Sequence, residues 1–306
     1  MAVALVFPGQ GSQYAGMGKD FYEQFDEARK VFERANEALG FDLKKLIFEG
    51  GNELNLTVNT QPAILTVSYA AYRVFKNRFP EVEPKFVMGH SLGEYTALLA
   101  ANVLDFEDAV KLVRYRAEAM QNAVPEGKGG MAAVIGIPPE EVAKLCQEVE
   151  GVVEPVNFNS PIQTVVAGEA TAVKQLVKLA KSKRIKAIPL KVSVPSHSSL
   201  MKEAASRFRE RLEEVTFRDA SIPVIQNYDA KPHTKAEEIK ENLYLQLFNP
   251  VRWTDSVNFA VSQGVDTFVE IGPKNVLSKL ITQTVENVKT CNLDRVEDLD
   301  KLKECF

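Results

Sequence analysis

One serine in this chain stands where a serine can act as a nucleophile. Gly89-His90-Ser91-Leu92-Gly93 is a G-x-S-x-G motif between a short apolar strand, Lys85–Met88, and a helical segment, Leu92–Ala101. That is the setting of a nucleophile elbow, in which glycines relieve crowding in a sharp turn and the hydroxyl stands at a helix N-terminus. A Gly-Ser turn that only caps a helix is the plainer alternative. A serine hydroxyl also needs an adjacent base, and the chain has three histidines. His90 neighbours Ser91 in the turn, so its side chain should diverge from the hydroxyl. His233 lies in the polar stretch Ala230–Lys235 and is expected in solvent. His197 follows a strand end, where α/β enzymes place site residues, and is the favoured base.

Arg116 is the second informative residue. Its neighbours three and four positions away are Leu112, Val113, Ala119 and Met120, all apolar. An arginine on a buried helical stripe must find an anion or hydrogen-bond acceptors, because an unpaired buried charge is costly. An internal Asp or Glu partner, or a stem that reaches out to water, would serve equally well. Arg114, on a more polar face, is expected to be solvated.

The elements that must position these residues alternate. Ala2–Phe7 reads as a buried strand feeding a Pro-Gly-Gln-Gly-Ser loop, and Thr60–Phe79 and Phe106–Val124 read as helices. This favours a parallel sheet covered by helices on both faces. Beyond Pro125–Gly130 the rhythm changes. Strands are expected at Met131–Ile135, Val153–Phe158, Thr164–Ala167 and Ile185–Val194, with helices at Pro138–Glu150 and Thr171–Lys183. The order β-α-β-β-α-β is that of a ferredoxin-like unit. A helix (Met201–Val215), a strand near Pro223–Asn227, a helix (Ala236–Leu247) and a strand (Thr267–Ile271) follow. The charged tail Asp294–Phe306 is expected to be a surface helix.

Composition bounds these readings. At about 150 residues per domain, 306 residues give two units. Lys and Arg number 37 against 41 Asp and Glu, a net charge of −4, which argues against general nucleic-acid binding. Cys146, Cys291 and Cys305 are too few, too scattered and too odd in number for a disulfide framework or a zinc site. No segment approaches the ~20 apolar residues of a membrane span, and the N-terminus lacks the pattern of a signal peptide. A cytoplasmic, metal-free α/β protein is expected.

Several motifs in fixed order carry a family resemblance. Phe7-Pro8-Gly9-Gln10-Gly11-Ser12-Gln13, Gly89-His90-Ser91-Leu92-Gly93-Glu94, Arg116 with Met120-Gln121, and Pro195-Ser196-His197-Ser198 are followed by Gln246-Leu-Phe-Asn-Pro-Val-Arg-Trp253 and Glu270-Ile-Gly-Pro273. Over nearly its whole length the chain resembles the malonyl-CoA:acyl carrier protein transacylases, discrete acyltransferases of fatty-acid synthesis. The implied fold is α/β. A large α/β-hydrolase-like parallel-sheet domain would span 1–128 and 195–306, with a small ferredoxin-like α+β subdomain inserted at 129–194.

The resemblance implies a ping-pong transfer. Ser91, assisted by His197, would attack the malonyl thioester, and the phosphopantetheine thiol of acyl carrier protein would then take the malonyl group. Arg116 would grip the malonyl carboxylate, and the N–H groups of Gln10 and Leu92 would form the oxyanion hole. A main-chain carbonyl, here that of Gln246, would orient His197 in place of an Asp. Asn159 would lie near His197, with His90 also in the site. Malonyl-CoA is then a substrate, no cofactor or metal is needed, and a monomer that binds neither nucleic acid nor membrane is expected. An acyltransferase serving polyketide synthesis and a serine thioesterase or hydrolase are the alternatives. Lys174, Lys178, Lys181, Lys183, Arg184, Lys186 and Lys191 form a run without an acidic residue between them. It is either a solvated face or a docking site for the acidic carrier protein.

Overall fold

In a computed structural model that describes residues 1–306, ten strands form two sheets. They are β1 (Val3–Phe7), β2 (Phe86–Gly89), β3 (Gly129–Ile135), β4 (Val153–Ser160), β5 (Gln163–Glu169), β6 (Lys186–Pro189), β7 (Val224–Ile225), β8 (Pro232–His233), β9 (Thr267–Ile271) and β10 (Lys289–Leu293). The larger sheet has the order β10-β9-β1-β2-β7-β8. Its pairings are parallel except for the terminal β7–β8 hairpin. Strand β1 reads Val-Ala-Leu-Val-Phe without a polar residue because both of its faces are covered. Val3, Leu5 and Phe7 enter one hydrophobic cluster, while Ala4 and Val6 enter another on the opposite face, as the two-residue period of a strand requires.

The smaller sheet is antiparallel, in the order β4-β5-β3-β6. Helices Pro139–Gln147 and Ala170–Ser182 cover one face through Val142, Leu145 and Leu176. The other face carries Met131, Val156 and Val165. The Val251 backbone ties this sheet to the segment that leads into helix Trp253–Ser262. Its N–H donates to Val156 O (2.8 Å), and its carbonyl accepts from Phe158 N (3.0 Å).

Three expectations are corrected. The strand expected over Ile185–Val194 ends at Pro189, beyond which the chain leaves β3 after one last bond, Leu190 N to Met131 O. The tail is not simply a surface helix. Only Asp298–Leu302 is α-helical, and Leu299, Leu302 and Cys305 are buried at a spacing of three, with the charged residues outside. The Phe306 ring lies 5.4 Å from that of Phe79. That return alongside β10 brings Cys305 to Cys291, and the two form a disulfide with Cα atoms 6.6 Å apart. Sequence spacing gave no sign of the pairing. Helices Asp26–Leu39 and Trp253–Ser262 were also not anticipated. No helix is long and apolar enough to cross a membrane.

Candidate active site

The turn after β2 is built by two glycines. A Cβ on Gly93 would come within 2.0 Å of the Phe7 carbonyl oxygen, and one on Gly89 equally close to the Gly93 backbone. Only hydrogen at both positions lets helix Gly93–Ala100 start this tightly against β1 and β2. The turn holds Ser91 at φ 52°, a left-handed conformation that costs roughly 1–3 kcal/mol for a residue with a side chain. The reward is a half-buried hydroxyl that faces a cavity from the head of a helix.

His197 meets that hydroxyl, with Nε2 2.8 Å from Ser91 Oγ. Its own φ is 65°, in a turn closed by the Ser198 hydroxyl donating to Pro195 O (2.7 Å). Nδ1 lies 2.7 Å from the Gln246 carbonyl oxygen. A carbonyl can only accept, so Nδ1 carries the proton and Nε2 turns its lone pair toward Ser91. Burial, reinforced by the charge of Arg116, pushes the His197 pKa down to about 3, which keeps the ring neutral.

Arg116 is fully buried. Nη1 donates to Gln61 Oε1 (2.8 Å), and Nη2 to Gln246 Oε1 (2.9 Å) and to Ser91 Oγ (3.2 Å). All three partners are neutral, and Nε, also buried, has none. The guanidinium neither reaches water nor bonds to an internal carboxylate. Gln61 was not anticipated. Its only signal is a long polar side chain among the small and apolar residues of Thr60–Ser68, all of them buried in helix Thr57–Arg78.

The remaining expected residues surround this group. The backbone N–H groups of Gln10 and Leu92 make no hydrogen bond within the protein. Asn159 bonds to His90 rather than to His197, with Oδ1 2.7 Å from His90 Nε2, and the His90 ring packs on Trp253. A cavity of about 460 Å³ joins Ser91 and Arg116 to Met131 and Asn157 of the smaller sheet and to Lys191 and His197. No cluster of three His, Cys, Asp or Glu side chains is arranged to hold a metal.

Two residues expected in solvent are not there. His233 sits between Asp229 (2.8 Å) and Glu238 (3.3 Å), and the Asp229 carboxylate raises its pKa. Arg114 is half-buried, paired with Glu118 and bonded to Val58 O and Asn59 Oδ1.

Comparison with known proteins defines the class of this α/β enzyme, which is an acyltransferase. A family model described as the acyl transferase domain matches residues 4–298, and the chain belongs to that family. It is 44% identical over 305 residues to the malonyl CoA-acyl carrier protein transacylase of Haemophilus influenzae, covering 98% of each chain. It is 47% identical over 297 residues to the Escherichia coli K12 protein of the same name, covering 95% of each. The crystal structure of an acyl carrier protein S-malonyltransferase from Vibrio cholerae superposes with a TM-score of 0.94 at 44% identity, covering 99% of this chain and 100% of that one. A malonyl-transacylase in complex with a type II PKS acyl-carrier protein gives 0.95 at 43%, covering 99% of both.

Proposed function

We propose that the protein transfers a malonyl group from malonyl-CoA to the phosphopantetheine thiol of acyl carrier protein, by a ping-pong mechanism through malonyl-Ser91, in fatty-acid synthesis. One observation carries this reading: a guanidinium sealed from water, with only neutral partners, 3.2 Å from the Ser91 hydroxyl. A planar cation there suits an acyl group that ends in a carboxylate, which it can bind bidentately.

His197 Nε2 takes the Ser91 proton as Oγ attacks the thioester carbon. The N–H groups of Gln10 and Leu92 receive the developing oxyanion. Collapse of the tetrahedral intermediate expels CoA, whose sulfur takes the proton from His197. The carrier thiol then gives its proton to His197 and attacks the acyl-serine, and the departing Ser91 Oγ takes that proton back from His197. The substrate carboxylate also offsets the Arg116 charge that depresses His197, so the base strengthens when an acid-bearing acyl group is bound. A thioester is already activated, so no cofactor is required. The His197 ring is oriented by a carbonyl rather than a carboxylate, which separates this site from the usual serine hydrolase triad.

We place the enzyme in the cytoplasm as a monomer, and in that reducing compartment Cys291 and Cys305 would stand as thiols. The seven basic residues from Lys174 to Lys191 are all exposed, and we assign them to docking of the acidic carrier, although Lys183 is paired with Glu148 (2.6 Å). A carrier serving polyketide synthesis is the second reading, favoured by the neighbour solved with such a carrier.

The test follows both half-reactions. With malonyl-CoA and holo carrier protein, malonyl should reach the carrier much faster than free malonate accumulates. Reversing Lys181, Lys183 and Arg184 to Glu should raise the KM for carrier and leave CoA release unchanged. Malonate accumulating at the same rate with and without carrier would instead define a hydrolase. Normal half-reactions in the reversed variant would move docking elsewhere.

A further inference from the structure

Asn227, fully buried just beyond β7, touches both sides of the nucleophile turn. Its Nδ2 donates to Gly89 O (2.7 Å), and its Oδ1 accepts from Ser91 N (2.8 Å). The carboxamide thus continues the parallel pairing of β2 with β7 past the point where β2 ends, and it satisfies the two backbone groups that the sharp turn would leave unpaired.

This contact has a direction. A backbone carbonyl only accepts and a backbone N–H only donates, so the Asn227 amide has one orientation. Gln246 Nε2 therefore faces an acceptor at Asn227 Oδ1 (3.1 Å), and a second at Ser91 O (3.2 Å). With Nε2 committed to these, Gln246 Oε1 must point away from them, and it accepts from Arg116 Nη2 (2.9 Å). The Gln246 carbonyl meanwhile orients His197. Asn227 is itself held from behind, its backbone N–H donating to the buried carboxyl of Glu94 (2.7 Å), one turn into the helix that Ser91 heads.

We propose that Asn227 is a positioning residue for acyl transfer: its carboxamide holds the Ser91 turn in its reactive shape and fixes the Gln246 amide against the Arg116 guanidinium. The part that concerns Arg116 rests on the malonyl reading; the part that concerns Ser91 does not.

Two variants and two readouts test it. Asn227→Ala removes donor and acceptor together. In Asn227→Asp, a protonated carboxyl can still donate to Gly89 O and accept from Ser91 N, whereas the ionised form sets an oxygen against the Gly89 carbonyl. Each is followed by acylation with malonyl-CoA and by labelling with a fluorophosphonate, which reports Ser91 reactivity without a malonyl group. Rates are taken as ratios to wild type at each pH, which removes the pH dependence that both proteins share.

The Asn227→Ala ratio should be low by about tenfold or more and flat with pH, and its malonyl-over-acetyl preference should fall. The Asn227→Asp ratio should lie near one at about pH 6 and drop about tenfold by about pH 9. Should the alanine variant fail to fold, the pH course of the aspartate variant decides alone. A flat aspartate ratio, or a folded alanine variant labelled at the wild-type rate, would overturn the proposal. If the wild-type protein itself is labelled by the fluorophosphonate but not acylated by malonyl-CoA, the substrate reading is refuted and the fluorophosphonate ratios alone decide the Ser91 role.

Discussion

Arg116 brings a positive charge to a place that water does not reach, 3.2 Å from Ser91 Oγ. Gln61 and Gln246 supply dipoles but no counter-charge, so burial lowers the arginine's pKa, against the weaker raising effects of Tyr95 and Glu94. A carboxylate arriving with the substrate completes the pair, and a neutral acetyl group cannot. If leaving such a charge without its partner costs about 3–5 kcal/mol, malonyl should be preferred over acetyl by roughly 10² or more, up to several times 10³. Arg116→Ala should remove most of that preference, chiefly by slowing malonyl transfer, as competition between malonyl-CoA and acetyl-CoA would show. Unchanged selectivity would end the assignment. The apolar neighbours of Arg116 announced its burial, and the G-x-S-x-G motif announced Ser91. Gln61 and Asn227 were not legible, because single polar residues that bond across long stretches of sequence leave no periodic trace.

At the scale of elements, helix starts recur as the places where charge and geometry are set. Helix Gly93–Ala100 presents Ser91 from two residues before its first. Helix Val276–Thr284 is held by Glu270 at the end of β9, whose carboxyl accepts from Leu277 N (3.0 Å), Ser278 N (2.7 Å) and the Ser278 hydroxyl (2.7 Å). Burial nevertheless pushes the Glu270 pKa from 4.5 up to about 7. A carboxyl raised in the folded state contributes stability that is whole below its unfolded pKa and is lost as pH rises through about 7. Glu270→Gln should therefore flatten the decline of the thermal midpoint between about pH 5 and about pH 8. Equal slopes in variant and wild type would contradict this. Most strands and helices could be read from their apolar patterns. The tail could not, because its buried face is only Leu299, Leu302 and Cys305 among charged residues, and its contacts with Phe79 and Cys291 are distant in sequence.

For the whole molecule, the cavity lies between two sheets of different construction. The turn after β2 of the parallel sheet supplies Ser91, and the helices around it supply Arg116 and Gln61, while the antiparallel sheet supplies Met131 and Asn157 as the facing wall. The change of rhythm near Gly130 falls where the antiparallel sheet begins, and we propose a division there, with 129–194 inserted between 1–128 and 195–306. How the smaller sheet meets the rest of the chain was hidden, since contacts such as the backbone bonds of Val251 with Val156 and Phe158 join segments far apart in sequence. The central claim is that the group in transit is carried on Ser91. Intact mass after brief exposure to malonyl-CoA, with mapping of the modified peptide, tests it most directly. Wild type should gain the mass of one malonyl group on the peptide containing Ser91, and Ser91→Ala should gain none. Absence of an adduct on wild type, or an adduct that persists in Ser91→Ala, would contradict the account.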